Sequence, residues 1–377
     1  MDTCNITYLI QFIVPFYVSL FCCLLLLKMY MQKDSPLGSK PLMLVVMANA
    51  VSVFLWLSII AYLFLPDVYL LFNSFILLAY MLVHVLYYHF IFELTKVHKE
   101  EKFPVIHYLF PILGFLVMLI WSFLVPYNVQ LSIVKSGGKW VDGYLLYSAF
   151  FTSKAKLFFV FNLLYACLGL YRIIRYRKVV VNYSADEQRA SFRWIYQFLF
   201  AMLALFPMTI IVFFFSEYQI LSSGIALYPV VLIILKDIVL VHNILLENYV
   251  IMGVEPSKQG FLGETVLPDA GEDIKSDDIR KLETYMRKDK PYLNPKLKIT
   301  DMILDLNTNR TSLSVLINRT YGMNFCRYIN RFRLEELEKL QSNPQYENKT
   351  ELELVEMAGF SDYRGYRRVK QKEEFDY

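Results

Sequence analysis

Long apolar stretches, separated by short polar ones, fill the first two thirds of the chain. An α-helix needs roughly 17–25 predominantly apolar residues to cross the hydrocarbon core of a bilayer. Seven stretches meet this requirement: Tyr8–Leu27, Leu42–Leu65, Val68–Phe92, Val105–Val125, Leu157–Ile174, Phe192–Phe215 and Gly224–Leu246. The pattern therefore predicts a seven-span transmembrane domain over residues 1–252.

The pattern changes after residue 252. Residues 253–276 are rich in glycine, proline and acidic side chains without an apolar period, which is typical of a flexible linker. Residues 277–377 contain shorter stretches in which apolar side chains recur every three or four positions, as on one face of a helix. We therefore expect an all-α protein, with a seven-helix transmembrane bundle, a linker and a soluble helical domain.

One pair of predicted helices in the soluble domain has the form of a helix-turn-helix. Residues 299–306 place their apolar side chains on one face, Asn307 and Thr308 form the predicted turn, and Asn309 can cap the next helix. That helix ends at Gly322. Its outward face carries short or basic side chains: Arg310, Thr311, Ser314, Val315, Asn318 and Arg319. Such side chains suit the major groove of DNA.

The composition excludes a wholly soluble chain. Hydrophobic residues make up 56% of the sequence and charged residues 19%, whereas a soluble domain is usually about 45–50% apolar and about 25% charged. The excess of apolar residues lies before Glu255, and the rest of the chain has an ordinary soluble composition.

Lysine and arginine are unevenly distributed among the loops, and in membrane proteins they are enriched in cytoplasmic loops. The N-terminus and the loops after the second and sixth spans have none, and the loop after the fourth has Lys135 and Lys139. The loops after the first, third and fifth spans contain Lys28, Lys33, Lys40, Lys96, Lys99, Lys102, Arg172, Arg175, Arg177, Lys178, Arg189 and Arg193. This bias predicts an external N-terminus and a cytoplasmic location for everything after Leu246.

Basic residues also cluster within the soluble domain. Between Leu306 and Leu334 there are five arginines and no acidic residue. Between Tyr363 and Lys372 there are again only basic charges, at Arg364, Arg367, Arg368, Lys370 and Lys372. Charges of one sign on chosen helices indicate contact with nucleic-acid phosphates. The alternative interpretation is that these are ordinary solvated helix faces.

Two charged residues, Lys236 and Asp237, lie in the middle of the seventh span, where charges are costly and are functional candidates. Neighbouring residues point about 100° apart on a helix. The pair is therefore predicted not to face each other, and each is expected to have a partner on another helix. Two interpretations stay open: a structural polar clamp, or a signal-sensing or ion-linked element.

Other intramembrane polar residues are expected to join helices. His89 and Glu93 are four positions apart and share a helix face, which favours a hydrogen-bonded pair. Asn49, Asn73 and Asn162 are predicted to make helix–helix contacts.

The longest external segment is residues 126–153. Its centre, "VQLSIVKSGGKWVDGY", alternates apolar and polar positions around two glycines. The pattern is compatible with a β-hairpin, in which glycine supplies positive φ, and equally with an irregular loop.

The sequence has no arrangement typical of an enzyme. It contains no nucleophile–base pair, no glycine-rich phosphate loop and no metalloprotease motif. Its five cysteines form no paired framework, and three lie inside apolar stretches. We therefore expect no enzymatic activity, no metal and no cofactor.

Two stretches of the soluble domain resemble the AraC/XylS family of bacterial transcription regulators. They are "NRTSLSVLINRTYGMNFCRYINRFRL", residues 309–334, and "MAGFSDYRGYRRVK", residues 357–370. The resemblance implies two helix-turn-helix units joined by a long helix, with two recognition helices in successive major grooves. In the first unit it implies that Thr311, Ser314 and Val315 face the bases and that Arg310 and Arg319 lie nearer the phosphates. In the second unit it implies that DNA is contacted by Arg364, Arg367 and Arg368.

The second unit departs from the family pattern. Lys370 stands where the family has a core phenylalanine, and Gly365 is predicted to lie in mid-helix, at a cost of about 1 kcal/mol against alanine. Ile303 and Val355 replace the small alanine usual in each positioning helix. Two outcomes stay open for this unit: weak folding, or phosphate contact without reading of sequence.

The combination resembles membrane-bound AraC-type regulators. It implies a multi-pass protein of the bacterial cytoplasmic (inner) membrane that regulates transcription. The implied partners are double-stranded DNA, the lipid bilayer, a small-molecule or peptide signal sensed by the membrane domain, and a second copy as a homodimer on DNA. The alternative is a membrane transporter or channel-like bundle with a degenerate C-terminal protein-interaction module, favoured by Lys236, Asp237 and the irregular second unit.

Overall fold

The computed structural model describes residues 3–32, 37–97, 100–186, 189, 192–215, 219–220, 225, 227–250 and 276–375. The described part is all-helical, as predicted, with 78% helix and no strand. The chain divides into two compact units. The bundle unit is Met1–Thr95, Lys102–Ile173 and Arg193–Asn248, and the C-terminal unit is Lys96–Glu101, Ile174–Phe192 and Tyr249–Tyr377. The predicted linker, residues 253–276, lies outside the described residues except for Ser276.

Long apolar helices dominate the bundle unit. In chain order the helices are α1 (Thr3–Met31), α2 (Ser39–Phe64), α3 (Pro66–Leu71), α4 (Asn73–Leu94), α5 (Ile106–Leu124), α6 (Tyr127–Lys135), α7 (Leu145–Phe151), α8 (Lys154–Val180), α9 (Arg193–Leu203), α10 (Phe206–Phe214) and α11 (Leu227–Leu245). Within the described residues, seven spans are long and apolar enough to cross a membrane: α1, α2, α4, α5, α8, α9 with α10, and α11. Their number agrees with the seven predicted spans, and the chain has the character of a multi-pass membrane protein.

The joints between the spans differ in detail from the prediction. The predicted third span, Val68–Phe92, begins inside the separate short helix α3, and α4 starts only at Asn73. Pro66 is the first residue of α3, a position at which the missing N–H of proline costs no helical hydrogen bond. The sixth span breaks after Leu203 and resumes at Phe206, with Pro207 in the first turn of α10. Proline at this position cannot donate the helical hydrogen bond back to residue 203, so the break follows from the sequence.

The start of the fifth span is buried. Lys154 is 1% exposed, donates to the Phe151 carbonyl at 3.0 Å and lies 3.6 Å from the centroid of the Phe151 ring. Its burial is compensated by the carbonyl and by the aromatic face, which attracts a cation.

Residues 126–153 contain α6 and α7, which are joined by an irregular stretch at 136–144, so the hairpin is wrong and the irregular loop is correct only for that stretch. Helix α6 begins immediately after Pro126 and buries Gln130, Ile133 and Val134, which are spaced at helical intervals. The Gln130 amide donates to the carbonyls of Ser122 and Val125 at 2.7 and 2.9 Å. These bonds satisfy acceptors at the end of α5.

The bundle packs in a chain of neighbouring helices. Helix α2 lies against α1 and α4, α4 against α5, α9 against α11, and α11 against α1. The outer face of α5 exposes large apolar side chains such as Phe110, Ile120 and Phe123. An exposed apolar face of this size is typical of contact with lipid.

Besides the end of α8, from Ile174 to Val180, and two short 3-10 helices, the C-terminal unit contains six α-helices within its described residues. They are α12 (Ser276–Lys288), α13 (Ile299–Met302), α14 (Arg310–Tyr321), α15 (Phe325–Gln341), α16 (Glu351–Met357) and α17 (Tyr363–Phe375). Helix α13 is shorter than the predicted stretch, because Asn307 adopts a left-handed φ of 48° and the Thr308 amide bonds back to the Ile303 carbonyl. The predicted cap of α14 is confirmed, since the Asn309 side chain accepts from the Ser312 amide at 2.8 Å. Gly322 ends α14 with a φ of 66°, as predicted.

Gly365 does not lie in mid-helix, contrary to the prediction. It is the third residue of α17, where its amide donates to the Asp362 carboxylate at 2.6 Å. The first turn of a helix has free N–H groups that side chains can cap, so glycine costs less here than in the middle of a helix.

Candidate functional site

The two intramembrane charges form a buried ion pair. The Lys236 ammonium is 2.9 Å from the Asp237 carboxylate, and Asp237 is fully buried. The prediction that the two cannot face each other is wrong, because the four-carbon lysine side chain is long enough to span the angle between neighbouring helical positions.

Each member of the pair also has a partner on another helix, as predicted. Lys236 donates to the Tyr87 hydroxyl on α4 at 2.9 Å, and its ammonium lies 4.1 Å from the centroid of that ring. Ser19 on α1 donates to the Asp237 carboxylate at 2.8 Å. The pair therefore joins α1, α4 and α11 through groups that satisfy both charges. Sequence reasoning missed Tyr87 and Ser19, since nothing in their local pattern marks them.

A cavity of about 170 Å³ lies beside this ion pair, within the bundle unit. Its wall is mainly aromatic and aliphatic, with Trp56, Phe158 and Phe159 among the lining residues. Lys236 and His84 also line it. His84 is 4% exposed, and neither of its ring nitrogens has a hydrogen-bond partner among the described residues.

The other intramembrane polar residues mostly join helices. His89 lies 3.3 Å from the Glu93 carboxylate, as predicted, and Lys40 on α2 adds an ion pair to the same carboxylate at 2.7 Å. Asn73 bonds to Ser122 on α5, and Asn162 on α8 donates to the Met202 carbonyl on α9. The amide of Asn49, in contrast, bonds within its own helix, to the Val45 carbonyl.

The predicted DNA-contacting residues of the first helix pair lie on α14 in three environments. Thr311, Asn318 and Arg319 are exposed, whereas Ser314 and Val315 are partly buried. The Asn318 amide donates to the Ser314 carbonyl and hydroxyl, at 2.8 and 3.3 Å. Asn309, immediately before the helix, caps it, and the Arg310 guanidinium lies over the ring of Tyr183.

The second helix pair has its own apolar core. Val355, Phe360, Tyr366 and Val369 are buried together, and Lys370 is exposed. Tyr366 and Val369 thus occupy the inner face of α17. The family resemblance implies a core phenylalanine one residue after Val369, at the position of the exposed Lys370. On the outer face Arg364 and Arg367 are exposed, and Arg368 is partly buried with its Nε 3.3 Å from the Arg364 carbonyl. This packing favours an ordered second unit over a weakly folded one.

Helix α15 connects the two helix pairs and is anchored by a buried arginine. Arg333 is 2% exposed and donates to the carbonyls of Tyr292, Asn294 and Ala185 at 2.8, 2.8 and 3.0 Å. Burial lowers the pKa of Arg333 to about 10, so the guanidinium stays protonated at neutral pH. The three carbonyls compensate the loss of water around this charge.

A second anchor lies one turn later. Glu336 accepts from the Lys290 ammonium at 2.6 Å and from the Tyr292 hydroxyl at 3.1 Å. Burial alone would raise the pKa of Glu336, but these two hydrogen bonds outweigh it and hold the pKa below its ordinary value. The contact therefore stabilises the unit above the ordinary pKa of glutamate, and its contribution is lost as the pH falls through the lowered value.

Residues 181–186, the connection between α8 and α9, are an integral part of the C-terminal unit, and we call them the inserted segment. Its backbone pairs with the approach to α13: the Ile299 amide donates to the Tyr183 carbonyl at 2.9 Å, and the Ala185 amide donates to the Leu297 carbonyl at 3.0 Å. The Cys326 amide at the start of α15 donates to the Val181 carbonyl at 3.1 Å. Together with the Arg333 bond, the inserted segment contributes to four buried or half-buried hydrogen bonds in this unit.

The inserted segment also contacts the predicted DNA-binding helix. Tyr183 is 1% exposed, and the Arg310 guanidinium lies 5.1 Å from the centroid of its ring. Sequence reasoning treated this stretch as a basic cytoplasmic loop. The one signal that could have identified it is the β-branched run Val179–Val181, followed by Tyr183, which favours extended backbone pairing.

We expect a fragment that begins at residue 277 to be less stable than one that carries residues 178–190 fused ahead of it by a flexible linker. Four lost hydrogen bonds at about 0.5 kcal/mol each predict a loss of about 2 kcal/mol. Thermal unfolding of the two fragments measures the difference, expected to be roughly 8–16 °C. A fusion with residues 178–190 in scrambled order is the control. Equal melting temperatures for all three fragments would show that the inserted segment contributes nothing to stability.

Comparison of the chain with models of known protein families, with curated proteins and with solved structures finds no match.

Proposed function

We propose that this protein is a membrane-anchored one-component transcription regulator. Its C-terminal unit binds double-stranded DNA at specific sites, and its bundle unit responds to a stimulus in or outside the membrane. The protein acts at the bacterial cytoplasmic membrane, with the C-terminal unit on the cytoplasmic side. It contacts DNA as a homodimer.

The observation that carries the proposal is the placement of basic side chains on α14 and α17. Each of these helices is the second helix of its helix pair. Helix α14 exposes Arg319 beside Thr311 and Asn318, and α17 exposes Arg364 and Arg367. These are the residue types that contact DNA phosphates and base edges. Helix α15 and its anchors hold both pairs in one compact unit, as simultaneous binding to one DNA duplex requires.

The inserted segment supplies a route from the membrane to the DNA-binding helix. It is covalently continuous with α8 before it and α9 after it, and both belong to membrane spans. A stimulus that shifts these spans pulls on backbone that is hydrogen-bonded at the start of α13 and α15. Because Arg310 stacks on Tyr183, such a shift changes the position of a predicted phosphate-contacting side chain. Tethering and dimerisation raise the effective concentration of the units at a promoter.

The test uses the full chain in phospholipid nanodiscs with genomic DNA fragments, because the inserted segment is lost from a simple C-terminal fragment. Fragments enriched by the protein are labelled, and their binding is measured by fluorescence anisotropy over a range of salt concentrations. The double variant Arg319→Ala/Arg367→Ala should bind more weakly. It removes two phosphate contacts from each protomer of the homodimer, so the slope of log K against log salt should flatten by about 4, close to 1 per lost phosphate contact.

Arg280→Ala is the matched control, because this exposed arginine lies on α12 and pairs with Asp277. It should leave affinity and salt slope unchanged. No enrichment of any fragment, or equal slopes for all proteins, would reject DNA binding and favour the transporter with a protein-docking domain. A tag after residue 377 that reacts with an impermeant reagent in intact cells would reject the cytoplasmic location.

A further inference from the structure

The cavity beside the ion pair has the size of a small-ligand site. Its volume of about 170 Å³ is comparable to an engineered apolar cavity of about 150 Å³ that binds benzene. Eight side chains of the wall are those of phenylalanine, tyrosine or tryptophan, among them Trp56, Phe158 and Phe159. Flat aromatic or short aliphatic molecules therefore fit the wall by shape and by dispersion.

One polar side chain in the wall lacks a partner. His84 is more than nine-tenths buried and lines the cavity, and neither ring nitrogen has a hydrogen-bond partner among the described residues. Its ring meets Phe158 edge-on, at 4.6 Å between centroids, which fixes its position without satisfying its nitrogens. A buried polar group without a partner is unfavourable, so an occupant that bonds to it is stabilised.

The charges near the cavity determine what kind of occupant fits. Lys236 lines the wall, but its charge is balanced by Asp237 at 2.9 Å. An additional charge would therefore enter an apolar space without a counter-ion, at high cost. A neutral imidazole offers one donor and one acceptor, which a hydroxyl group, itself donor and acceptor, complements.

We infer that this cavity binds an uncharged, mainly apolar small molecule whose hydroxyl group hydrogen-bonds to His84. The inference deepens the proposed function by identifying the molecule as the stimulus of the bundle unit. Only this role as stimulus rests on the proposed function. A hydrocarbon such as a lipid tail fills the same space but leaves His84 without a partner. The hydroxyl is therefore the feature that the site selects.

The probes are p-cresol and toluene, which share one ring and one methyl group and differ by a hydroxyl. Both are titrated into the full chain in nanodiscs by calorimetry, with empty nanodiscs subtracted. We expect p-cresol to bind about five- to tenfold more tightly than toluene, the value of one net hydrogen bond. His84→Leu should make the two affinities equal, and His84→Gln, which retains a donor and an acceptor, should restore part of the preference.

Ala155→Phe is the control for occupancy, since Ala155 lines the cavity and a phenyl ring there fills it. It should abolish binding of both probes, while thermal unfolding verifies that each variant is folded. Equal affinities of the two probes for the unmodified protein, or binding that survives Ala155→Phe, would overturn the inference. DNA anisotropy is measured separately, so loss of DNA binding with intact p-cresol binding rejects the proposed function alone.

Discussion

Replacing Asp237 by leucine should destabilise the bundle unit by about 3–5 kcal/mol, the usual cost of removing one partner of a buried ion pair. The variant leaves the Lys236 ammonium in an apolar surrounding, with the Tyr87 hydroxyl and the rings of Tyr87 and Phe198 as compensation. Lys236→Met should cost a similar amount, because the Asp237 carboxylate then retains only hydroxyl donors such as Ser19. Unfolding of the purified protein in mixed micelles with increasing SDS measures both losses.

The double variant Lys236→Met/Asp237→Leu separates pairing from simple loss of packing. It removes both charges and keeps comparable volume, and such replacements are often neutral or stabilising. We therefore expect it to be more stable than either single variant. A double variant as unstable as the sum of the two single variants would show that the charges are not energetically coupled.

The same series distinguishes the two roles left open for these residues. A structural clamp predicts that the stable double variant still responds to the stimulus. A sensing element predicts that it folds normally but no longer changes DNA binding when p-cresol is added. Anisotropy of the promoter fragment with and without p-cresol gives this comparison in the same nanodisc preparation.

Gly359→Ala should destabilise the C-terminal unit by about 3 kcal/mol or more. Gly359 has a φ of +92°, and a Cβ placed on it would lie 2.3 Å from the Tyr292 carbonyl oxygen and 2.8 Å from Leu293 Cα. The positive φ alone costs roughly 1–2 kcal/mol for a residue with a side chain. The clash adds roughly 1–3 kcal/mol, because the obstructing atoms are backbone and cannot rotate away.

Gly322→Ala is the matched control in the same unit. Its φ is +66°, but a Cβ there meets no atom of the described residues within 4 Å. It should therefore lose only the conformational part, about 1–2 kcal/mol. Amide hydrogen exchange of α15 and α16 in the full chain compares the two variants. Equal protection in both would show that the turn at residues 291–293 does not lie against Gly359.

A large effect at Gly359 also bears on the proposed DNA binding. This glycine belongs to the second helix pair, whereas residues 291–293 precede the first, and Arg333 donates to the same Tyr292 carbonyl. The contact therefore fixes the two helix pairs against each other within the unit. Loosening it should weaken binding to a site that engages both pairs more than it weakens contact by α14 alone.

The features that the sequence by itself determined are those set by local chemistry. The seven spans follow from apolar length, since a helix must satisfy its backbone inside a membrane without water. The Asn309 cap and the Gly322 end of α14 follow from side chains that act on their own turn. The exposed arginines of α14 and α17 follow from the apolar positions on the opposite faces of these helices.

Tertiary structure alone decided which distant groups meet. Residues 127–135 form α6, in which Gln130 reaches the end of α5, although the local pattern was ambiguous. Tyr87 and Ser19 became partners of the ion pair, His84 faces a cavity, and residues 181–186 complete the C-terminal unit through backbone bonds to residues far along the chain. Backbone hydrogen bonds depend little on side-chain identity, and partners far apart in sequence leave no periodic signal. Such contacts can therefore be identified only once the chain has folded.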